Sequence, residues 1–434
     1  MNLKSKRIQI SIITIALILF IAYIVFLSTI DSPVGDIDKE GFLNIKIIGN
    51  EKEFNRIHDD PLLEEYIVVD VEINGRILRN CGLRTKGSSS YKGVEKSQNP
   101  TKYGYRLEFD YTNKSQSYNG VKKVYINNGI YDKTYIREMI AFDIYELAGV
   151  ATPKRSLAEI SINEKNNGIY TIVEIPEEDF IQRNYGNISG IIYKPKIKDT
   201  TTPSNEKSFW SGGNEIEDYP AILEGEFLGK NINNKDLDNL IETLEKIKEE
   251  DDFEEYVDIN SVLDYLAVSF FIPNEDSFIS ESFRNFYIYQ EGKKITILPF
   301  DLNIYLLYAN SHNKSIYNYD IYLNLQKNPL IYKLLANEMY RVQYTEKIEN
   351  LIDKLEKDNW LEKRMDFYFN KIESSVKSNT NNFYNIDIFT TAKQAFKDIF
   401  NSRIRSVKKQ LKENIHNKQI NYEPEVDRSL TFGL

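Results

Sequence analysis

The sequence predicts an α+β chain of two lobes, an antiparallel β lobe carrying one helix and then a mainly helical lobe, both placed after an N-terminal transmembrane helix. Three observations predict it. Strand patterns of alternating or short apolar runs fill the chain from Leu43 to Glu174 around a single amphipathic helix. Helical periodicity dominates from Asp236 to Lys412. The apolar run Ile8 to Ser28, about 20 residues, is long enough to cross a bilayer.

Lys4, Lys6 and Arg7 precede the apolar run, and Asp31 and Asp36 follow it. By the positive-inside rule the N-terminus stays in the cytoplasm, so this reading is a single-pass membrane protein whose bulk is extracytoplasmic. Secretion after signal cleavage is the alternative; the run is long for a signal core, and no convincing small-x-small site stands before Asp31. The expected organisation is 1–30 anchor, 31–65 linker and first strand, 66–196 N-lobe, 197–235 polar insert, 236–415 C-lobe and 416–434 polar tail.

In the β lobe, Leu43 to Ile47 and Tyr66 to Ile73 read as strands, and Asn74-Gly75 is a strong hairpin signal. The returning strand, RILRNCGLRTKGSSS, ends in a basic loop rich in glycine and serine. Tyr105 to Phe109 is the next strand. Asp132 to Gly149 is then an amphipathic helix with apolar Ile136, Ile140, Ile144 and Leu147, and Gly149 lies just past its end. Leu157 to Ile162 and Ile169 to Glu174 flank the turn NEKNNG. Thr200 to Tyr219 is a polar loop, after which Asp236 to Glu249, Ile259 to Phe271 and several segments from Leu330 onward read as helices.

One stretch carries the chemistry. Asn274-Glu275-Asp276 ends an apolar helical run, Asn285 follows, FYIYQEGKKITILPF reads as a hairpin, and Asp301 closes its second strand. Carboxylate, amide, strand pair and second carboxylate on rigid elements suit a site that holds Mg²⁺ on nucleotide phosphates and accepts a proton from a hydroxyl. Asp and Asn also cap strand ends and turns, so the spacing alone leaves a structural role open. The order of three strands, helix and two strands ahead of this stretch is that of a protein-kinase-like small lobe.

Composition narrows the classes. The net charge of −10, with Lys and Arg dispersed, argues against a nucleic-acid binder. Cys81 is the only cysteine, which excludes an intrachain disulfide and any multi-thiolate metal site. His58, His312 and His416 have no metal-ligand spacing, and a hydrolase triad is disfavoured.

From about Ile67 to Leu411 the chain resembles the CotH kinase family of endospore-forming bacteria. GLRTKGSSS looks like the family's Arg-x-Arg-Gly-Asn-Ser-Ser segment, and DKTYIREMIAFDIYELAG is similar to its Asp-x-Thr-x-x-Arg-Glu helix. INEKNNGIYTIVEIPEEDF, GIIYKP and VDINSVLDYLAVSFFIPNED resemble further elements in the same order. The resemblance implies an atypical, secretory-type Ser/Thr kinase that uses ATP with Mg²⁺ or Mn²⁺ on coat or envelope proteins.

Carried over residue by residue, Asp276 takes the place of the catalytic Asp, with Asn285 and Asp301 at the metal. Glu138 on the helix could pair with a phosphate-binding cation, the candidates being Lys102 and Arg106, which as strand-edge charges could equally face water. Arg84 and Lys86, beside Gly87 and Ser88, form a second cationic cluster. Glu174 stands where a hinge would contact adenine, and Lys194 is a further candidate. The chain departs from the family's Trp-Asp-x-Asp in reading Phe300-Asp301-Leu302-Asn303, and the stretch from Asp276 to Asn285 is longer than expected. A scaffold without turnover and a transferase of AMP are the competing classes.

Overall fold

The structure, a computed structural model, describes residues 35–87, 90–196, 209–210, 219, 225–229, 234–250, 253–280, 283–306, 316–323 and 328–413. Seven strands form its first layer: β1 (Phe42–Gly49), β2 (Ile67–Ile73), β3 (Arg76–Lys86), β4 (Gly104–Glu108), β5 (Lys123–Asn127), β6 (Arg155–Ile162) and β7 (Lys165–Glu174). They close into a barrel in the order β1-β2-β3-β4-β5-β7-β6. Neighbours run antiparallel except β1 and β6, which close the barrel in parallel, with Leu43 opposite Ala158 and Ile45 opposite Ile160.

Alternation builds the barrel core. Leu43, Ile45 and Ile47 of β1 and Ile67, Val69, Val71 and Ile73 of β2 point inward, while Asn44, Lys46 and Ile48 are exposed. Asn74 and Gly75 both take positive φ, 48° and 89°, as the two-residue turn joining β2 to β3 requires. Cys81 is buried among these side chains, and burial pushes its thiol up to about 12.

A second sheet holds β8 (Ile191–Lys194), β9 (Glu226–Leu228), β10 (Phe286–Glu291) and β11 (Lys294–Pro299) in the order β11-β10-β8-β9. Short helices α1 (Glu51–Asp59), α2 (Ser90–Glu95) and α4 (Glu178–Tyr185) lie in the first half of the chain, with the longer α3 (Arg137–Ala148) between α2 and α4. The second half contributes α5 (Asn234–Glu249), α6 (Ile259–Phe271), α7 (Pro329–Ala336), α8 (Glu338–Glu356), α9 (Trp360–Ser378) and α10 (Ile386–Glu413).

α3 is the central element, buried from Arg137 through Tyr145. It begins at Arg137, later than Asp132, because Asp132 turns the chain ahead of it. Asp132 Oδ1 accepts from the Thr134 amide at 2.8 Å, and Oδ2 accepts from the Arg137 amide at 2.8 Å. Gly149 ends the helix at φ 101°. At the helix's middle, Asp143 is 1% exposed and accepts from Arg155 of β6, Arg364 of α9 and, at 2.7 Å, the Tyr368 hydroxyl of α9. One carboxylate thus ties barrel, central helix and helical layer together.

The closed barrel, with its parallel β1–β6 seam, corrects the expectation of a two-lobed, kinase-like fold with an antiparallel β lobe. Alternation reveals which face of a strand is buried, and a barrel interior reads the same as one face of an open sheet. It does not reveal that β1 meets β6 in parallel. Among the described residues no helix is long and apolar enough to cross a membrane. The run Ile8 to Ser28 itself lies outside the described residues, as do the tail 416–434, Ser88, Ser89, His312, His416 and most of the 197–235 insert.

Candidate functional site

Register brings the hairpin's two ends together. Phe286 pairs with Pro299, so Asn285, just before β10, lies beside the Phe300-Asp301 step that leaves β11. Asn285 and Asp301 both have φ 51°, a left-handed conformation that Asn and Asp tolerate better than other side chains. Asn285 Nδ2 donates to Asp276 Oδ2 at 2.5 Å. Asp276 sits on the turn after α6, where the Asn274 amide donates to Ser269 O at 3.0 Å and Ser277 Oγ donates to Asn274 O at 2.6 Å.

On the barrel side, Lys86 ends β3. Its Nζ donates to Asn127 Oδ1 at the end of β5 and to Asp301 Oδ1 at 3.2 Å. Asn127 Nδ2 in turn donates to Glu138 Oε2 at 2.7 Å, and among the described residues Glu138 Oε1 is buried without a hydrogen-bond partner. A continuous polar chain therefore runs from Asp301 through Lys86 and Asn127 to Glu138. Lys86 Nζ also lies 4.8 Å from the Tyr125 ring centroid and 5.8 Å from that of Phe300. From the second sheet, Lys194 donates to the Tyr125 hydroxyl at 3.0 Å and lies 4.5 Å from the Phe300 centroid.

Asp301 shapes the acids on both sides of it. Burial, followed by the negative charge of Asp301, raises Asp276 to about 7; Arg284 and the Asn285 hydrogen bond oppose the shift. Burial and Asp301 likewise raise Glu138 to about 7, against the pull of Lys86, Asn127 and the Leu302 backbone. The unfolded chain loses both protons near pH 4. From about pH 4 to 7 the folded chain thus holds protons that the unfolded chain has released, so these two groups make stability fall as pH rises through that window. The melting temperature of Asp276→Asn is expected to gain on wild type between pH 4.5 and 7.5. A constant difference would contradict the shift.

The other sequence-predicted residues fall into two groups. Arg84 and Arg106 face each other in the β3–β4 register, close to the site strand. Arg84 pairs with Glu64 at 2.5 Å, and Arg106 with Glu108 at 3.0 Å and Glu226 of β9 at 2.7 Å. Lys102 and Glu174 are engaged elsewhere. Lys102 is buried with its Nζ on the carbonyls of Asn167 and Ile169, at 2.7 and 2.8 Å, and 3.8 Å from the Tyr170 ring centroid. Glu174 accepts from Arg183 at 2.5 Å and from the Lys154 amide at 2.8 Å. The cation that Glu138 reaches is Lys86, through Asn127. Sequence reasoning missed Asn127, whose signal was a polar residue ending the apolar strand KVYIN.

Among the described residues no three His, Cys, Asp or Glu side chains gather into a group that could hold a metal ion alone. Mg²⁺ needs less, because it binds through one or two carboxylates with phosphate oxygens and water supplying the rest. The unpartnered Glu138 Oε1 and the mutually repelling acids around Asp301 fit such a hard cation. Asn303, which lines a narrow cleft with Asn127, Asp132 and Glu138, offers an amide in place of a further carboxylate.

Fold and site define a protein with a closed barrel joined to a helical layer, and an acidic, lysine-bearing centre at their junction. The chain belongs to the CotH family: the family model described as CotH kinase protein matches residues 83–418, which include every site residue named above from Arg84 to Asp301. It is also similar to the inner spore coat protein H of Bacillus subtilis (strain 168), with 20% identity over 278 residues, 60% of this chain and 70% of that protein. The resemblance read from the sequence motifs is borne out.

Proposed function

We propose that the chain transfers the γ-phosphoryl group of ATP to serine or threonine hydroxyls of spore coat or other spore-associated proteins, and that it resides in the spore envelope. The observation that carries the reading is Asp301 paired with Lys86 and flanked by two acids held near neutrality. Family membership and the name of the similar coat protein support it.

In this reading Lys86 binds phosphate oxygens, while Asn127 and Glu138 fix its ammonium. Asp301 and Asn285 hold Mg²⁺ or Mn²⁺, with Glu138 Oε1 at hand; when bound, the ion neutralises charge that develops on the transferred group. Asp276, raised to about 7, is matched to accepting the acceptor hydroxyl's proton near neutral pH, and Asn285 orients its carboxylate. Lys86→Met is expected to weaken ATP binding roughly tenfold to a hundredfold, the value of a charge-assisted hydrogen bond. It is also expected to push Glu138 further up, because Lys86 now holds it down. Calorimetric titration with ATP checks the first effect, and unchanged affinity would contradict it.

A second reading, a scaffold in coat assembly that binds without turnover, is favoured by Asn303, a neutral amide where the family's pattern carries a carboxylate. Incubation with γ-labelled and, separately, α-labelled ATP, Mg²⁺ or Mn²⁺ and a serine-rich acceptor separates the readings. Label from the γ position alone supports the kinase, and label from the α position means nucleotide transfer. ATP binding without label from either favours the scaffold.

A further inference from the structure

Arg403 of α10 is 1% exposed, and among the described residues it has no carboxylate at ion-pair distance. Its guanidinium is spent entirely on backbone carbonyls. Nε donates to Phe271 O at 2.8 Å and Nη2 to Phe270 O at 2.8 Å, while Nη1 donates to Tyr317 O at 2.9 Å and Tyr319 O at 2.6 Å. Phe270 and Phe271 end α6, so two of these acceptors are carbonyls that a helix leaves without intrahelical partners, at the end whose dipole favours a cation.

The chain leaves this helix end straight into Asn274-Glu275-Asp276. Two other contacts brace the turn and the helix end before it: Tyr145 of α3, the helix that carries Glu138, hydrogen-bonds Ser269 Oγ in the last turn of α6 at 2.7 Å, and the Tyr319 hydroxyl hydrogen-bonds Glu275. Arg403 thus joins the helix end that launches the turn to the 317–319 segment that braces it. A buried charge is costly without compensation. Ordinary packing at this point of α10 would need only an apolar side chain.

We propose that Arg403 is a positioning residue for Asp276: by tying the end of α6 to the 317–319 segment it holds the turn that sets Asp276 against Asn285 and Asp301. The kinetic consequence rests on the kinase reading; the geometric one does not. Lysine at this position keeps the charge but cannot span four carbonyls with one ammonium.

The test compares full-length wild type, Arg403→Lys, Arg403→Met and Val407→Ala, the last removing a fully buried side chain one turn along the same helix. Arg403→Lys is expected to lose roughly tenfold to a hundredfold in kcat for phosphoryl transfer, with KM for ATP within about twofold of wild type. Amide exchange across residues 272–280 is expected to rise at least about tenfold in Arg403→Lys and to stay unchanged in Val407→Ala. Should Arg403→Met fail to fold, the lysine variant carries the test. Equal losses of kcat in Val407→Ala, or wild-type kcat and exchange in Arg403→Lys, would overturn the proposal. A wild-type chain that transfers no phosphoryl group, combined with faster exchange confined to 272–280 in Arg403→Lys, removes the kinase reading and leaves the positioning role standing.

Discussion

Asp301→Ala is expected to abolish the proposed phosphoryl transfer, by about a thousandfold or more, while leaving the chain folded. Three effects act together. The carboxylate proposed to hold the metal is lost, and metal-borne charge stabilisation is worth several kcal/mol. Lys86 loses its ion pair at 3.2 Å and keeps Asn127 and the Tyr125 and Phe300 rings. The negative charge of Asp301, which adds to burial in raising Asp276 and Glu138, disappears, so both acids move down from about 7 while burial still holds them raised. The variant should therefore show both an activity loss and a downward shift of two titrations, readable by transfer assay and by carboxyl NMR. Transfer retained within tenfold would remove Asp301 from the proposed mechanism.

The largest expected effect on stability belongs to Asp143→Ala. The substitution leaves Arg155, 3% exposed, and the largely buried Arg364 without their shared carboxylate, and deprives Tyr368 of its acceptor. Removing one partner of a buried ion pair costs about 3–5 kcal/mol, because the remaining charge is uncompensated. Here two guanidiniums lose that partner at once, and a loss of about 3 kcal/mol is expected. Glu146 still pairs with Arg155, and Glu40 with Arg364, which limits the loss. Denaturant unfolding measures it, and a loss below about 1 kcal/mol would mean that the network is not holding the three layers together.

Much of the local structure was legible in the sequence. Alternation located β1 and β2, Asn74-Gly75 marked the turn from β2 to β3, and the apolar spacing located α3 with its start placed five residues early. The start of α3 was misplaced because Asp132 satisfies the Arg137 amide from outside the helix. Closure of the barrel was not legible, since nothing in the period of β1 or β6 encodes their parallel meeting.

At the site, the grouping of Asp276, Asn285 and Asp301 followed from one hairpin and one helix end. The cation next to them is set by tertiary placement. Lys86, Lys102 and Arg106 read alike as basic residues near strands, and only the fold puts Lys86 on Asp301, Lys102 on buried carbonyls and Arg106 on Glu226. Asn127 was missed for the same reason, because its role exists only once β5 stands between Lys86 and α3.

Calorimetric titration of Mg²⁺–ATP into the full-length chain at pH 7, in two buffers of different ionisation enthalpy, tests the central claim most directly. Two acids near 7 are together about half protonated at that pH, so a bound metal–nucleotide complex at Asp301 is expected to release about one proton. The apparent enthalpy should then differ between the buffers for wild type, and both binding and proton release should vanish in Asp301→Ala. Binding with no proton release, or binding unaffected by the loss of Asp301, would contradict the account.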